Sequence, residues 1–162
     1  MARAPEARTQ NLINGQWVSA DGGATIDVLD PATDEHMAAI PSCGAAETRR
    51  AVDAAHEAFE PWSQRTAGER GKLVARLAEL MHRDADRLAA LMTAEQGKPL
   101  GEAKGEITYA ASFLEWAADE APRLYGETVP ANSSDKRILV LRQPVGVCAI
   151  ITPWNFPAAM IN

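Results

Sequence analysis

Val145-Gly146-Val147-Cys148-Ala149-Ile150-Ile151, followed by Thr152-Pro153-Trp154-Asn155-Phe156-Pro157, is the stretch that decides how the rest of this chain is read. The first seven residues are apolar on both faces and rich in β-branched side chains. That pattern predicts a strand buried on both sides, as a central parallel strand of an α/β sheet is. In such sheets ligands bind just beyond the carboxyl ends of the strands. Thr152 to Pro157 therefore sits where a sheet delivers its binding groups. A strand of this kind needs neighbours, and no other segment reads as a second central parallel strand.

Upstream, residues 12 to 18 and 25 to 29 read as two short strands around a polar turn, Ser19 to Gly23, and residues 37 to 40 as a third. A helix is predicted from about 45 to 60, with Gly44 as N-cap and Glu47 at the positive end of its dipole. Val52, Ala55, Phe59 and Trp62 recur at helical spacing and form its expected buried face. Thr66-Ala67-Gly68-Glu69 is a capping box. It opens an apolar stripe through Leu73, Val74, Leu77, Leu80, Met81, Leu88, Leu91 and Met92, with Asp84 as the expected break and second cap. Gly97 and Pro99 stop it. A third helical region spans about 100 to 121. Ile107, Ala110, Leu114 and Ala117 share one face, and Tyr109, Phe113 and Trp116 an adjoining one. Pro122 ends it. Residues 126 to 144 read as a hairpin turning at Asn132 to Asp135.

Sixteen Lys and Arg against 22 Asp and Glu give a formal charge of -6, which argues against nucleic acid as a partner. The longest apolar run, 144 to 151, is too short to span a bilayer. Met1 to Arg8 lacks the apolar core of a secretion signal. Residues 1–10 are expected to be a flexible arm and the protein to be cytoplasmic. Cys43 and Cys148 do not make a disulfide framework. Cys43 falls in a loop before a helix, and Cys148 is expected to behave as a small buried hydrophobe. His36, His56 and His82 lack metal-ligand spacing and read as solvated surface residues; no metal site is expected.

The hexapeptide resembles the oxyanion-site signature of NAD(P)-dependent aldehyde dehydrogenases. Ile13-Asn14-Gly15-Gln16-Trp17 resembles the opening strand and turn of that family, and Asp30-Pro31-Ala32-Thr33 the hairpin corner that follows. The segments Glu95 to Glu106, Tyr109 to Trp116 and Pro157 to Ile161 resemble its succinate-semialdehyde and glutarate-semialdehyde branch. The resemblance covers roughly residues 11 to 162. It implies an incomplete α/β fold: the amino-terminal part of a cofactor-binding domain (11–125), an oligomerisation-type hairpin (126–144), then a first Rossmann-type core strand and the start of a helix (145–162). It implies a longer complete enzyme that oxidises succinate semialdehyde or a related aldehyde to the acid, through a thiohemiacetal and a thioester.

Oxidising an aldehyde needs a nucleophile, donors for the oxyanion, a hydride acceptor and a base. The resemblance gives Asn155 the donor role. Ile151, Thr152, Pro153, Trp154 and Asn155 would lie along NAD or NADP, and Phe156 and Met160 would line the aldehyde path. Bland readings stand beside these. Asn155 suits the N-cap of a helix starting near Phe156, and the others suit core packing. Glu95, Glu102 and Glu106 form an acidic cluster best explained by the helix dipole and by Lys104 nearby. The resemblance offers no nucleophile or base within these residues, and neither the aldehyde nor the choice between NAD and NADP is readable. Residues 1–162 are expected to be inactive alone. The alternative is a non-catalytic assembly module acting through the 126–144 hairpin, and the complete protein is expected to be a homo-oligomer.

Overall fold

The computed structural model describes residues 7–161, so the first six residues of the expected arm, and Asn162, lie outside the described residues. Asn14 and Gly15 take left-handed φ values of 49° and 72°. Two such residues in succession make a tight hairpin turn that matches the strand twist. It folds the expected strand 12–18 back on itself as β1 (Asn11–Ile13) against β2 (Gln16–Val18). The Asn-Gly pair overrides the alternation that reads this stretch as one strand. β3 (Thr25–Leu29) pairs antiparallel with β4 (His36–Pro41), which contains the strand expected at 37 to 40. Asp30 pins the corner between them, its Oδ1 accepting the Ala32 N–H at 2.8 Å.

α1 (Ala45–Ser63) begins after Gly44 and continues through Pro61. The buried carboxylate of Glu47 joins it to the preceding loop. Oε2 accepts the Gly44 N–H at 3.0 Å and Oε1 the Asp21 N–H at 2.9 Å. Arg50 forks onto Asp21 with two bonds of 2.7 Å. The expected buried face of this helix is open instead. Val52, Ala55 and Trp62 are exposed and only Phe59 is half-buried. Ala55, Phe59 and Trp62 flank a shallow groove of about 490 Å³ that Gly146 to Cys148 line from the other side.

α2 (Ala67–Arg83), α3 (Ala85–Gln96) and α4 (Leu100–Glu120) build the core. The capping box forms as expected: Glu69 Oε2 accepts the Thr66 N–H at 2.9 Å and Thr66 Oγ1 accepts the Glu69 N–H at 3.3 Å. α2 and α3 separate at Asp84, but its carboxylate caps nothing, because Arg83 holds both oxygens at 2.8 Å. Gly97, at φ 78°, ends α3 in the left-handed region. Ala89, Met92, Ala103 and Ile107 form the buried centre, with Met81, Ala85, Leu88 and Ala158 against it. Small residues bring α2 and α4 together. Gly71, Ala78, Ala110 and Ala111 are buried, whereas Leu73 and Leu77 of the expected stripe are exposed. Past α4, Pro122 falls in a single 3-10 turn, Ala121–Arg123. β5 (Glu127–Val129) and β6 (Ile138–Val140) then form the expected hairpin, which is largely exposed.

Residues 145–151 depart most from expectation. They pair with no strand among the described residues, and Val145 and Ile151 are 92% and 97% exposed. A parallel strand exists through its ladder bonds. With no neighbour to supply them, the apolar run lies open and irregular, and Cys148 is exposed rather than buried. The helix expected near Phe156 is likewise a set of turns, with one helical bond from the Met160 N–H to the Phe156 oxygen at 3.3 Å. A single turn does not repay helix nucleation. The mixed helix-and-strand architecture stands; the core strand and the following helix are not formed as elements. No helix among the described residues is long and apolar enough to cross a membrane.

Candidate active site

Ala103, Glu106, Ile107 and Ala110 fall at helical spacing on α4 and all are buried. A carboxylate in an apolar stripe must find partners, because an unpaired buried charge costs several kcal/mol. Lys98 supplies the first. Gly97 turns the chain at the end of α3 and Pro99 is the N-cap of α4, so the Lys98 side chain reaches Glu106 in the second turn of α4. Its ammonium pairs with Glu106 Oε2, the two side chains being 11% and 1% exposed. The other oxygen of Glu106 accepts the N–H groups of Ala158 at 2.9 Å and Ala159 at 3.2 Å. Burial pushes the Glu106 carboxyl up, but the bonds from Lys98, Ala158 and Ala159 outweigh it and hold the group below its ordinary value.

The same few residues grip the segment around Asn155 from the other side. Lys98 Nζ donates to the Asn155 backbone oxygen at 2.8 Å, and Gln96 Nε2 donates to the Trp154 oxygen at 2.8 Å. Lys98 also stands 4.4 Å from the ring centre of Phe156, a cation–π contact. The backbone is thus held before Asn155 and again after Pro157. The Asn155 carboxamide makes no hydrogen bond among the described residues, so it is not an N-cap. It remains an unspent neutral donor.

Asn155 lines an open groove of about 360 Å³ with Lys98, Glu102, Gly105, Glu106, Tyr109 and Phe156. Phe156 lines this groove and Met160 does not; they are 39% and 46% exposed. Ile151 and Trp154 are more exposed still, and Thr152 is half-buried. Neither cysteine faces this groove. Cys43 Sγ accepts from Asn11 Nδ2 at 2.9 Å, and Cys148 lines the groove beside α1. No group of His, Cys, Asp and Glu among the described residues could hold a metal ion. His36, His56 and His82 are all exposed; His36 lies 3.3 Å from Asp27 and His82 2.8 Å from Glu115.

Gln96, Lys98, Glu102, Gly105, Glu106 and Tyr109 are absent from the site residues read from sequence. The helix dipole does not account for Glu106, which is buried. Its signal was present: a glutamate three residues after Ala103 and one before Ile107 interrupts an apolar stripe. A stripe that starts at Ile107 leaves it out.

Over residues 17–162 the sequence matches the family described as "Aldehyde dehydrogenase family". The chain belongs to the aldehyde dehydrogenase family. It is 58% identical over 155 residues to the glutarate-semialdehyde dehydrogenase of Pseudomonas putida, a match covering 96% of this chain and 32% of the relative. It is 54% identical over 155 residues to the NADP(+) succinate-semialdehyde dehydrogenase of Escherichia coli, with the same coverage. The crystal structure of an NADP-dependent enzyme from E. coli superposes with a TM-score of 0.92 at 55% identity, over 95% of this chain and 32% of that one. The chain therefore spans about a third of the length of the curated relatives it matches.

Proposed function

We propose that residues 1–162 are the part of a semialdehyde dehydrogenase that carries the oxyanion donor and part of the NAD(P) floor. The observation carrying this reading is the treatment of Asn155: its backbone oxygen is bonded by Lys98, while its carboxamide has no partner among the described residues and the residue lines an open groove. Asn155 Nδ2 would donate to the oxygen of the aldehyde as negative charge develops there. A fixed donor binds that oxyanion more strongly than the ground-state carbonyl, and this difference accelerates the reaction. Ile151, Pro153 and Trp154, all exposed, and Thr152, half-buried, suit the floor of a flat ligand such as NAD or NADP. That group supplies a hydride acceptor when bound. Phe156 and Tyr109 give the groove apolar and aromatic walls for a short aliphatic aldehyde.

On this reading residues 1–162 alone turn over no aldehyde, because the groove beside Asn155 is lined by no cysteine, serine or threonine that could add to the carbonyl. The 126–144 hairpin is the part assigned to subunit association in a homo-oligomer. Its exposed strands support that assignment, and they equally support the second reading of a non-catalytic assembly module.

The deciding experiment joins residues 1–162 to the remaining two thirds of the E. coli relative and assays NADPH formation from succinate semialdehyde. Asn155→Ala should lower kcat by about 100- to 1000-fold, the usual consequence of removing one oxyanion donor, with a far smaller change in KM. An unchanged kcat with a raised KM would make Asn155 a simple substrate-binding residue.

A further inference from the structure

We infer that Lys98 and Glu106 are positioning residues for Asn155, acting together as one clamp. The inference rests on the oxyanion-donor reading and deepens it. An oxyanion donor works only if its backbone is fixed before the reaction begins. Residues 154–161 have no regular element to fix them, since they form turns without strand or helix. The fixing comes instead from α3 and α4.

Four backbone groups flanking Asn155 are engaged. The Trp154 oxygen is held by Gln96, the Asn155 oxygen by Lys98, and the Ala158 and Ala159 N–H groups by Glu106. Lys98 and Glu106 are bonded to each other and nearly fully buried, so the two grips are mechanically one. Chemistry makes the arrangement specific. A lysine carries three donors and no acceptor, and a carboxylate only acceptors. Lys98 can thus hold a carbonyl and a carboxylate at once, while Glu106 receives Lys98 on one oxygen and two amides on the other. Lys98 also lies against Phe156, which ties the aromatic wall of the groove to the same ammonium. Neither side chain needs to touch the aldehyde. Their effect on the reaction runs through where they hold Asn155.

The test compares Lys98→Met, Glu106→Gln and the pair together in the joined enzyme, with Asn155→Ala as reference. Each single substitution should lower kcat by about 100-fold, the typical loss for a displacement near 1 Å of a catalytic group, with KM changed by no more than about threefold. The double variant should be no slower than the worse single one, because the two residues act as a unit. It also leaves no unpaired buried charge, so it provides a folded enzyme for the measurement even if Lys98→Met does not fold. In the 162-residue chain itself, amide exchange at Ala158 and Ala159 should accelerate when Glu106→Leu, combined with Lys98→Met, removes their acceptor, a readout independent of activity. If Asn155→Ala lowers kcat but the double variant stays within twofold of the parent, the clamp does not position the donor and the inference falls. If Asn155→Ala leaves kcat unchanged, the oxyanion reading falls instead, and the positioning role falls with it even where the exchange result shows the clamp itself.

Discussion

Gly71 is the position where the packing of this chain can be tested most sharply. It lies in α2, packed against the end of α4. A Cβ there would stand 2.9 Å from the Ala118 carbonyl oxygen and 3.3 Å from the Ala121 Cβ. The first contact is with backbone, which cannot rotate away, so the two helices must part by a few tenths of an ångström. Two opposed effects decide the outcome. Alanine is the better helix former by about 1 kcal/mol. Overpacking a closed interface costs about 1–3 kcal/mol. Taking the middle of that range, Gly71→Ala should destabilise the chain by about 1 kcal/mol, or about 3 °C in Tm at this length. Gly71→Val loses part of the propensity gain and adds two methyl groups, so a loss of about 3 kcal/mol is expected. Gly105, inside α4 with nothing within 4 Å of its Cβ position, is the control. Gly105→Ala should raise stability by about 1 kcal/mol through propensity alone. Thermal unfolding followed by helical circular dichroism at low protein concentration reads all three. A Tm for Gly71→Ala above the parent, matching Gly105→Ala, would show that α2 and α4 do not approach as described.

Two further outcomes are expected. Glu106 has its carboxyl held below the ordinary value of 4.5, so its contribution to stability is fully present above 4.5 and is lost as pH falls below it; the stability difference between the parent chain and Glu106→Gln should therefore shrink on acidification, and a difference that stays constant between pH 7 and pH 3 would contradict the assignment. Val145, Ile150 and Ile151 form an open apolar run beside the exposed β6, so the 162-residue chain should self-associate in sedimentation velocity, less so as Val145→Glu with Ile150→Glu; a monomer at every concentration with cooperative unfolding would show that these surfaces do not drive association.

The elements that sequence placed correctly are those whose signals are local. The Thr66–Glu69 box, the Gly97 stop and the Pro122 terminus each depend on a few neighbouring residues, and each appears where expected. The elements it misplaced depend on partners. Residues 145–151 carry the composition of a buried strand, but composition cannot supply the ladder that makes a strand. The apolar face of α1 has the same character: its spacing is right and its cover is not among the described residues. Asp84 fails for a different reason. Position marks it as a cap, yet the adjacent Arg83 takes its carboxylate, a competition that capping rules do not consider.

The candidate site divides along the same line. Asn155 was legible because a short motif carries it. Its support was not, because Gln96, Lys98 and Glu106 reach the segment Trp154 to Ala159 across 52 to 58 residues of sequence. One physical rule could have reached further than pattern did. A charged residue inside an apolar helical stripe predicts a buried partner, and Lys98, two residues before the helix, is the nearest cation able to turn inward while Lys104 pairs outward with Asp86. That argument locates the ion pair from sequence but still leaves open what the second carboxylate oxygen binds. The answer lies in two amides that follow Pro157. Proline has no N–H to give, so Ala158 and Ala159 are the first residues after it with N–H groups to donate to Glu106. Pro157 therefore sets which backbone groups α4 can hold beyond Asn155.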